Sequence, residues 1–382
     1  MIVSRLVLKN WRNFQHVDAR LGARVFLVGP NASGKSNLLD ALRFLRDIAK
    51  QGGGLQYALD ERGGLSKVRC LAARREPDIE IAIHLAESVD ADACWGYEIG
   101  IAQEVRGYRQ PYLSHERVWK GAELLVERPD PDDHRDRLRL TQTHLEQINS
   151  NAAFRDIARL FESILYLHLV PQLLRFPESF AGREMPGDPF GRGFLERVAK
   201  TPENVLRSRL RKIESALQLA VPQLKDLSLT RDARGVPHLE AVYEHWRPHA
   251  GKQREDQFSD GTLRLIALLW SLLEWDSPLL LEEPELSLHA GIVAQIPALM
   301  HRLQRQRKRQ VLLSTHSADL LSDKSITGEE VLLLKPGPEG TTLEPASSME
   351  EVCSLLAAGF SVAEAALPRT APPEIDQLSL FE

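Results

Sequence analysis

The sequence predicts an α/β protein with a mixed central sheet, and three observations carry that expectation. Arg24 to Val28 is a short apolar strand, followed by the small-residue loop Gly29 to Ser36. Beyond it Leu38, Leu39, Ala41, Leu42, Leu45 and Ile48 recur at helical period. Two further apolar runs, Pro278 to Leu281 and Val311 to Leu313, read as strands buried on both faces, each ending in polar residues. Residues 78–128 alternate instead: Ile79, Ile81 and Ile83 against Glu80, Ala82 and His84, with more alternation at Tyr97–Ile101 and Val118–Val126. That pattern predicts an antiparallel lobe beside the first strands.

The remaining elements follow in order. Ile2 to Leu8 alternates as a strand, turned by Asn10-Trp11-Arg12-Asn13-Phe14, and Gln51 to Gly54 ends the first helix. Asp130-Pro131-Asp132-Asp133 marks a boundary, after which residues 141–220 read as mostly helical, broken by a Gly/Pro-rich loop at Ser179–Gly193. Thr201-Pro202-Glu203 opens a helix, with a capping hydroxyl and Pro at the first helical position. Lys225 to Glu244 reads as two strands around a turn at Arg234-Gly235. A long apolar helix covers Thr262–Leu273, and another covers about 290 to 306.

Composition narrows the function classes. The chain has 382 residues, 43% of them hydrophobic and 26% charged, the balance of a globular protein with a large core. Lys and Arg total 48 against 53 Asp and Glu, a net charge of -5, so no global pull toward nucleic acid exists, although local basic patches stay open. Cys70, Cys94 and Cys353 are isolated and lack metal-ligand spacing, which predicts reduced thiols in a cytoplasmic chain. Arg5 interrupts any signal-peptide run, and Leu265 to Leu273 is too short to cross a bilayer.

Four motifs carry chemistry. Gly29-Pro30-Asn31-Ala32-Ser33-Gly34-Lys35-Ser36 is a full G-x-x-x-x-G-K-S between a strand and a helix. Its backbone N–H groups suit a triphosphate, with Lys35 reaching the β/γ-phosphates and Ser36 holding Mg²⁺. Leu279-Leu280-Leu281-Glu282-Glu283 places two carboxylates at a strand end, one for the Mg²⁺ shell and one to activate water. Val311 to Ser317 is another buried strand, ending at His316 beside that site. Phe258-Ser259-Asp260-Gly261-Thr262 opens a helix, either as an N-cap on Ser259 or Asp260 or as a second phosphate-binding terminus; spacing does not decide.

In this order the motifs resemble the ATP-binding-cassette-type ATPases of the SMC and RecF group. They are most similar to the stand-alone predicted ATPases encoded in anti-phage defence loci. Asn10-Trp11-Arg12 resembles the family's opening motif, Gly29–Ser36 its Walker A loop, and Ser259-Asp260-Gly261 its signature. Leu279–Glu283 resembles Walker B with the catalytic glutamate, Glu285–His289 the D-loop region, and His316 the switch histidine. The resemblance implies a P-loop, cassette-like head of five parts. These are ATPase lobe I with the antiparallel lobe (1–130), a helical insert (131–225), ATPase lobe II (226–345), a C-terminal helical segment (346–368) and a flexible tail (369–382).

It also implies an ATP phosphohydrolase that dimerises on ATP and controls a DNA-related partner activity, with anti-phage defence as the setting. ATP would be held by Arg12, Asn31, Ser33, Gly34, Lys35 and Ser36, with Mg²⁺ on Ser36 and Glu282, partly through water. Glu283 and His316 would be catalytic, and Ser259 and Gly261 would meet the partner's nucleotide. Two departures stand out: Glu282 replaces the usual Asp, and Asp260 replaces the Gly of transporters. No segment matches the coiled-coil arms of SMC proteins or a nuclease domain, so a nuclease or other effector would act in trans. A RecF-like repair or recombination ATPase and a slow-turnover, ATP-gated scaffold are the alternatives.

Two features lie outside that set. Arg302, Arg305, Arg307, Lys308 and Arg309 cluster near a helix end, read first as a solvated C-terminus and second as a DNA-backbone patch. Gln377, Leu378, Leu380 and Phe381, after Pro372-Pro373, resemble the bacterial sliding-clamp-binding motif. The same residues could dock back on the protein's own surface, and the two readings stand level.

Overall fold

The computed structural model describes residues 1–73, 77–104, 109–176, 188–244, 251–274, 276–307 and 309–370, with the backbone only at 305–307. β1 (Ile2–Trp11) and β2 (Phe14–Arg20) form a hairpin turned at Arg12 and Asn13, and β3 (Arg24–Val28) leads through the glycine loop into the helix Lys35–Ala49. β4 (Ile79–Ala86), β5 (Ala93–Gln103), β6 (Pro111–Lys120) and β7 (Glu123–Arg128) follow. With the first hairpin they make a six-stranded antiparallel sheet of order β2-β1-β4-β5-β6-β7. The run Val118–Val126 is two strands, since Val118 pairs with Val126 across a turn that holds Gly121 at positive φ. A tight hairpin keeps the alternation going through its turn, so the period alone reads it as one strand.

The segment 141–220 contains helices Arg155–Ser163, Pro171–Arg175, Phe194–Ala199 and Glu203–Ala220. It also contains β8 (Leu165–Leu167), which the helical reading did not include. Three residues are too few to show a period. The hairpin β9 (Leu224–Arg231) and β10 (Pro237–Tyr243) is as expected, and β11 (Lys252–Arg254) adds a third strand to it. β12 (Leu279–Glu282), β13 (Val311–Thr315), β14 (Val331–Gly337) and β15 (Gly340–Pro345) complete the second six-stranded sheet. Its order is β15-β14-β3-β13-β12-β8, parallel throughout except for β15 at one edge. The central sheet is therefore mixed, as the sequence predicts.

This sheet divides the core. Val25, Leu27, Leu280 and Leu312 pack with the antiparallel lobe and the helix Lys35–Ala49. Phe26, Val28, Leu279, Leu281 and Leu313 face the other way, onto the helix Asp260–Glu274 and its neighbours. Side chains alternate across a strand, so runs that are apolar at every position are those with both faces covered. The helix Asp260–Glu274 is itself buried at every residue from Thr262 to Glu274, which matches its mostly apolar sequence, and Arg264, Ser271 and Glu274 are buried with it.

Three local expectations are corrected. Helix Glu203–Ala220 starts where expected, but Pro202 is its cap residue and no side chain caps it; the Thr201 hydroxyl bonds back to the Arg197 carbonyl. The helix expected over 290–306 is two, Ala290–Val293 and Ile296–Arg307. Pro297 lacks an N–H to bond to the preceding turn, so a new helix begins there. In the basic cluster, Arg309 is buried, donating to the carbonyls of Ser277 and Ser271, so it belongs to the core rather than to any surface patch. Lys308 and the side chains of Arg305 and Arg307 lie outside the described residues, as do Gln377, Leu378, Leu380 and Phe381. The segment 346–368 is helical, with Glu350–Ala357 and Val362–Ala366, and it sends Val352, Val362, Ala365 and Ala366 into the core. Among the described residues no helix is long and apolar enough to cross a membrane.

Candidate active site at the ends of three parallel strands

β3, β13 and β12 lie side by side and parallel, so their C-terminal ends open on one edge of the sheet. That edge is where open α/β sheets bind ligands. The glycine loop leaves β3, Glu282 and Glu283 leave β12, and His316 leaves β13. Register sets Glu282 opposite Ser314 and Val28 opposite Thr315.

The loop's shape depends on small residues. Ala32 and Gly34 both adopt positive φ, and Gly34, at φ +97°, begins the helix. A Cβ at Gly34 would sit 2.2 Å from Asn13 Nδ2. That contact is informative, because Asn13 braces the loop. Its Nδ2 donates to the Ser33 carbonyl (2.9 Å) and to Thr341 Oγ1 (2.7 Å), while its Oδ1 accepts from Asn37 (2.8 Å). In sequence Asn13 reads as a turn residue and nothing more, and its neighbour on β15, Thr341, has no signal at all.

Lys35 is buried and folds back on its own loop, donating to the carbonyls of Gly29 (2.9 Å) and Pro30 (3.0 Å). Burial lowers its pKa, and Glu283, Glu282 and Glu285 oppose that shift. These four charges therefore share one site. Asn31 and Ser36 are exposed, while Ser33 is buried with its hydroxyl unpartnered. Arg12 is placed differently from the rest. Its guanidinium pairs with Asp40 on the first helix (2.9 Å) and with the Lys67 carbonyl (3.3 Å). Arg62 bonds the same Asp40.

At the carboxylate end, Glu283 sits at φ +42° with its N–H on the Ser314 carbonyl. Its Oε1 lies 3.4 Å from His316 Nε2, and both side chains are about one-third exposed. Burial and the nearby Lys35 lower the His316 pKa, against the pull of Glu283. Glu285 fixes the end of β13, accepting from Thr315 Oγ1 (2.6 Å) and from the His316 N–H (3.2 Å). Burial raises its pKa.

Burial raises the Glu282 pKa, but the neighbouring His168, Ser36 and Tyr166 bring it below the ordinary value, and His168 Nδ1 lies 3.3 Å from its Oε2. Its Oε1 is buried with no hydrogen-bond partner. A serine hydroxyl beside a carboxylate with an uncommitted oxygen is an all-oxygen donor set that suits Mg²⁺. Among the described residues no group of three or more His, Cys, Asp or Glu could hold a metal alone, so water and phosphate oxygens would complete the shell.

The family described as "AAA domain, putative AbiEii toxin, Type IV TA system" matches residues 24–323, from β3 to just beyond His316. The chain belongs to this AAA family. Its fold is that of an SMC head. The structure of an SMC head bound to the C-winged helix domain of ScpA aligns at TM-score 0.57 and 14% identity, covering 90% of this chain and 98% of that one. Head domains from Thermotoga maritima and Pyrococcus furiosus align over the same 90% share, covering 99% and 95% of their chains, at TM-scores of 0.46 and 0.48 and 14% identity. No curated protein sequence matches significantly.

Within one chain, the signature-like turn of this AAA domain acts as an N-cap. Ser259 Oγ accepts from the Thr262 N–H (3.1 Å), capping the helix Asp260–Glu274. Gly261 passes so close to the Ser287 carbonyl that a Cβ would lie 2.6 Å from it. Asp260 is tied to Arg175 (2.7 Å) and Gln172 (3.0 Å) of the helix Pro171–Arg175. Arg264, one turn on, reaches the Glu283 carbonyl (3.3 Å). Sequence reading singled out none of Arg175, Gln172 or Arg264, because each partner is remote along the chain.

Proposed function

We propose that this chain hydrolyses ATP, dimerises on ATP and uses that cycle to control a DNA-related partner activity. One observation carries the reading: Lys35, Ser36, Glu282, Glu283 and His316 converge at the ends of three neighbouring strands. ATP would lie along the Gly29–Ser36 loop, whose N–H groups and helix start favour phosphate. Lys35 would exchange its loop carbonyls for phosphate oxygens, and Asn31, Ser33 and Gly34 would line the cradle. Mg²⁺ on Ser36 and Glu282 would neutralise phosphate charge. Glu283 takes the proton of the attacking water, and His316 donates to a γ-phosphate oxygen. Arg12 would leave Asp40 to reach phosphate. Ser259 and Gly261 would meet the nucleotide of a second copy.

The family's description names a type IV toxin–antitoxin system, which supports a partner-controlled role, and the proposed setting is anti-phage defence. A nuclease or other effector in trans, DNA, and the sliding clamp are the proposed partners. The deciding experiment is steady-state Mg-ATP turnover of wild type and Glu283→Gln, with light scattering of each in ATP. Turnover should fall roughly 10²–10⁴-fold in the variant, the range of a lost general base. The variant should also accumulate as an ATP-bound dimer. Unchanged turnover removes Glu283 from the base role, and a wild type that neither binds nor hydrolyses ATP ends the proposal.

A further inference from the structure

The β8 strand, invisible in the sequence, brings two polar side chains to Glu282. β8 pairs in parallel with β12, with Tyr166 opposite Leu280 and Leu167 opposite Leu281. His168 is the next residue after the strand, level with Glu282. Side chains two apart share a face, so Tyr166 and His168 stand on the side that carries Glu282.

Both are held in place by contacts that have nothing to do with one another. Tyr166 is buried in the core cluster with Leu280, and the Arg43 guanidinium lies 5.0 Å over its ring. Its hydroxyl is close enough to Glu282 to help lower that carboxylate's pKa, and the carboxylate in turn raises the phenol's. His168 donates its backbone N–H to the Pro189 carbonyl (2.7 Å), and its ring meets Phe190 edge-on at 6.1 Å. That places Nδ1 3.3 Å from Glu282 Oε2. The contacts on Glu282 are lopsided, since Oε1 is buried and has none. A glutamate has three side-chain torsions, and without partners it would sample several rotamers at a strand end.

We propose that Tyr166 and His168 are positioning residues that fix the rotamer of Glu282 next to Ser36 and so set the divalent-cation demand of nucleotide binding. The inference rests on the functional reading above. Outer partners of a metal-binding carboxylate typically change metal affinity about 10–100-fold when removed.

The test is the Mg²⁺ concentration needed for half-maximal binding of a fluorescent ATP analogue, alongside binding in EDTA and thermal melts. Tyr166→Phe and His168→Ala should each raise the Mg²⁺ midpoint about ten-fold and leave binding in EDTA unchanged. His168→Asn, whose amide can donate near the same place, should recover most of the loss. In a Glu282→Asp background, too short to reach either partner, the same substitutions should add nothing. An unchanged midpoint in folded Tyr166→Phe and His168→Ala overturns the inference. So does a full ten-fold shift persisting in the Glu282→Asp background. Wild type that binds no analogue at any Mg²⁺ concentration overturns the functional reading as well, so the two failures are told apart.

Discussion

At Gly34 the backbone holds φ +97° while Asn13 packs against the missing side chain, so two separate constraints meet on one residue. Gly34→Ala should therefore cost more than the roughly 1 kcal/mol of a positive-φ substitution alone, because Asn13 must also move. A melt and a nucleotide titration together check this, with binding expected to fail before folding does. Asn13→Ala tests the brace from the other side. It leaves the Ser33 carbonyl and Asn37 without a partner, and a loss of about 1–3 kcal/mol with weaker nucleotide binding is expected. His316 gives a pH prediction. Burial and Lys35 hold its pKa below the ordinary histidine value, so the ring is neutral near pH 7. Its neutral-state contribution is full above the ordinary value and is lost as pH falls through the lowered one. Thermal stability should decline over that range, and His316→Ala should remove the histidine-dependent part of the stability profile.

Elements are locked together by buried charge as well as by apolar packing. Arg128 at the end of β7 is buried between Glu116 on β6 (3.0 Å) and Asp133 in the helix Pro131–Arg135 (2.9 Å). Burial acts to raise the Asp133 pKa, but Arg128 and the Asp130 N–H overcome it and bring it down to about 2. A lowered carboxylate stabilises above its unfolded pKa and stops doing so as pH falls toward the folded one. Its contribution, about 2 kcal/mol, should thus be present at pH 5 and vanish between about pH 4 and pH 2. Arg128→Met leaves buried Glu116 without a cation and Asp133 with only Arg139, and should cost about 3–5 kcal/mol, read from urea melts at pH 7. In sequence residues 130–133 read as a boundary, and a capping box on Asp130 begins a short helix there. The clamp onto β6 was not legible, since Glu116 and Arg128 look like ordinary charges on alternating strands.

For the molecule as a whole, the consequential question is assembly. An ATP-dependent dimer should form in Glu283→Gln and be lost in Lys35→Ala, where nucleotide binding itself is expected to disappear; light scattering with and without ATP reads both. If the C-terminal residues serve the sliding clamp, deleting 376–382 should abolish clamp association and leave nucleotide binding intact. Equal clamp affinity in the truncated chain removes that role. Any DNA binding by the folded head should be sequence-independent and weaken steeply with salt, the mark of phosphate contacts. A buried Arg309 leaves one fewer cation for such a surface.

Local chemistry by itself determined the parts whose neighbours in space are neighbours in sequence. The strand–loop–helix of residues 24–49, the two apolar strands with their terminal carboxylates and histidine, and the alternating lobe follow from composition and period. A central parallel strand must be apolar on both faces, and a phosphate loop must be small. Tertiary structure alone decided what those parts meet. It recruited β8 to the sheet, set Tyr166 and His168 against Glu282, seated Asn13 under the loop, and drew Arg12 onto Asp40. It also turned Arg309 inward. The physical reason is shared: a strand of three residues has no period, and a polar side chain's partner is chosen by packing across tens to hundreds of residues of chain, where sequence spacing carries no information.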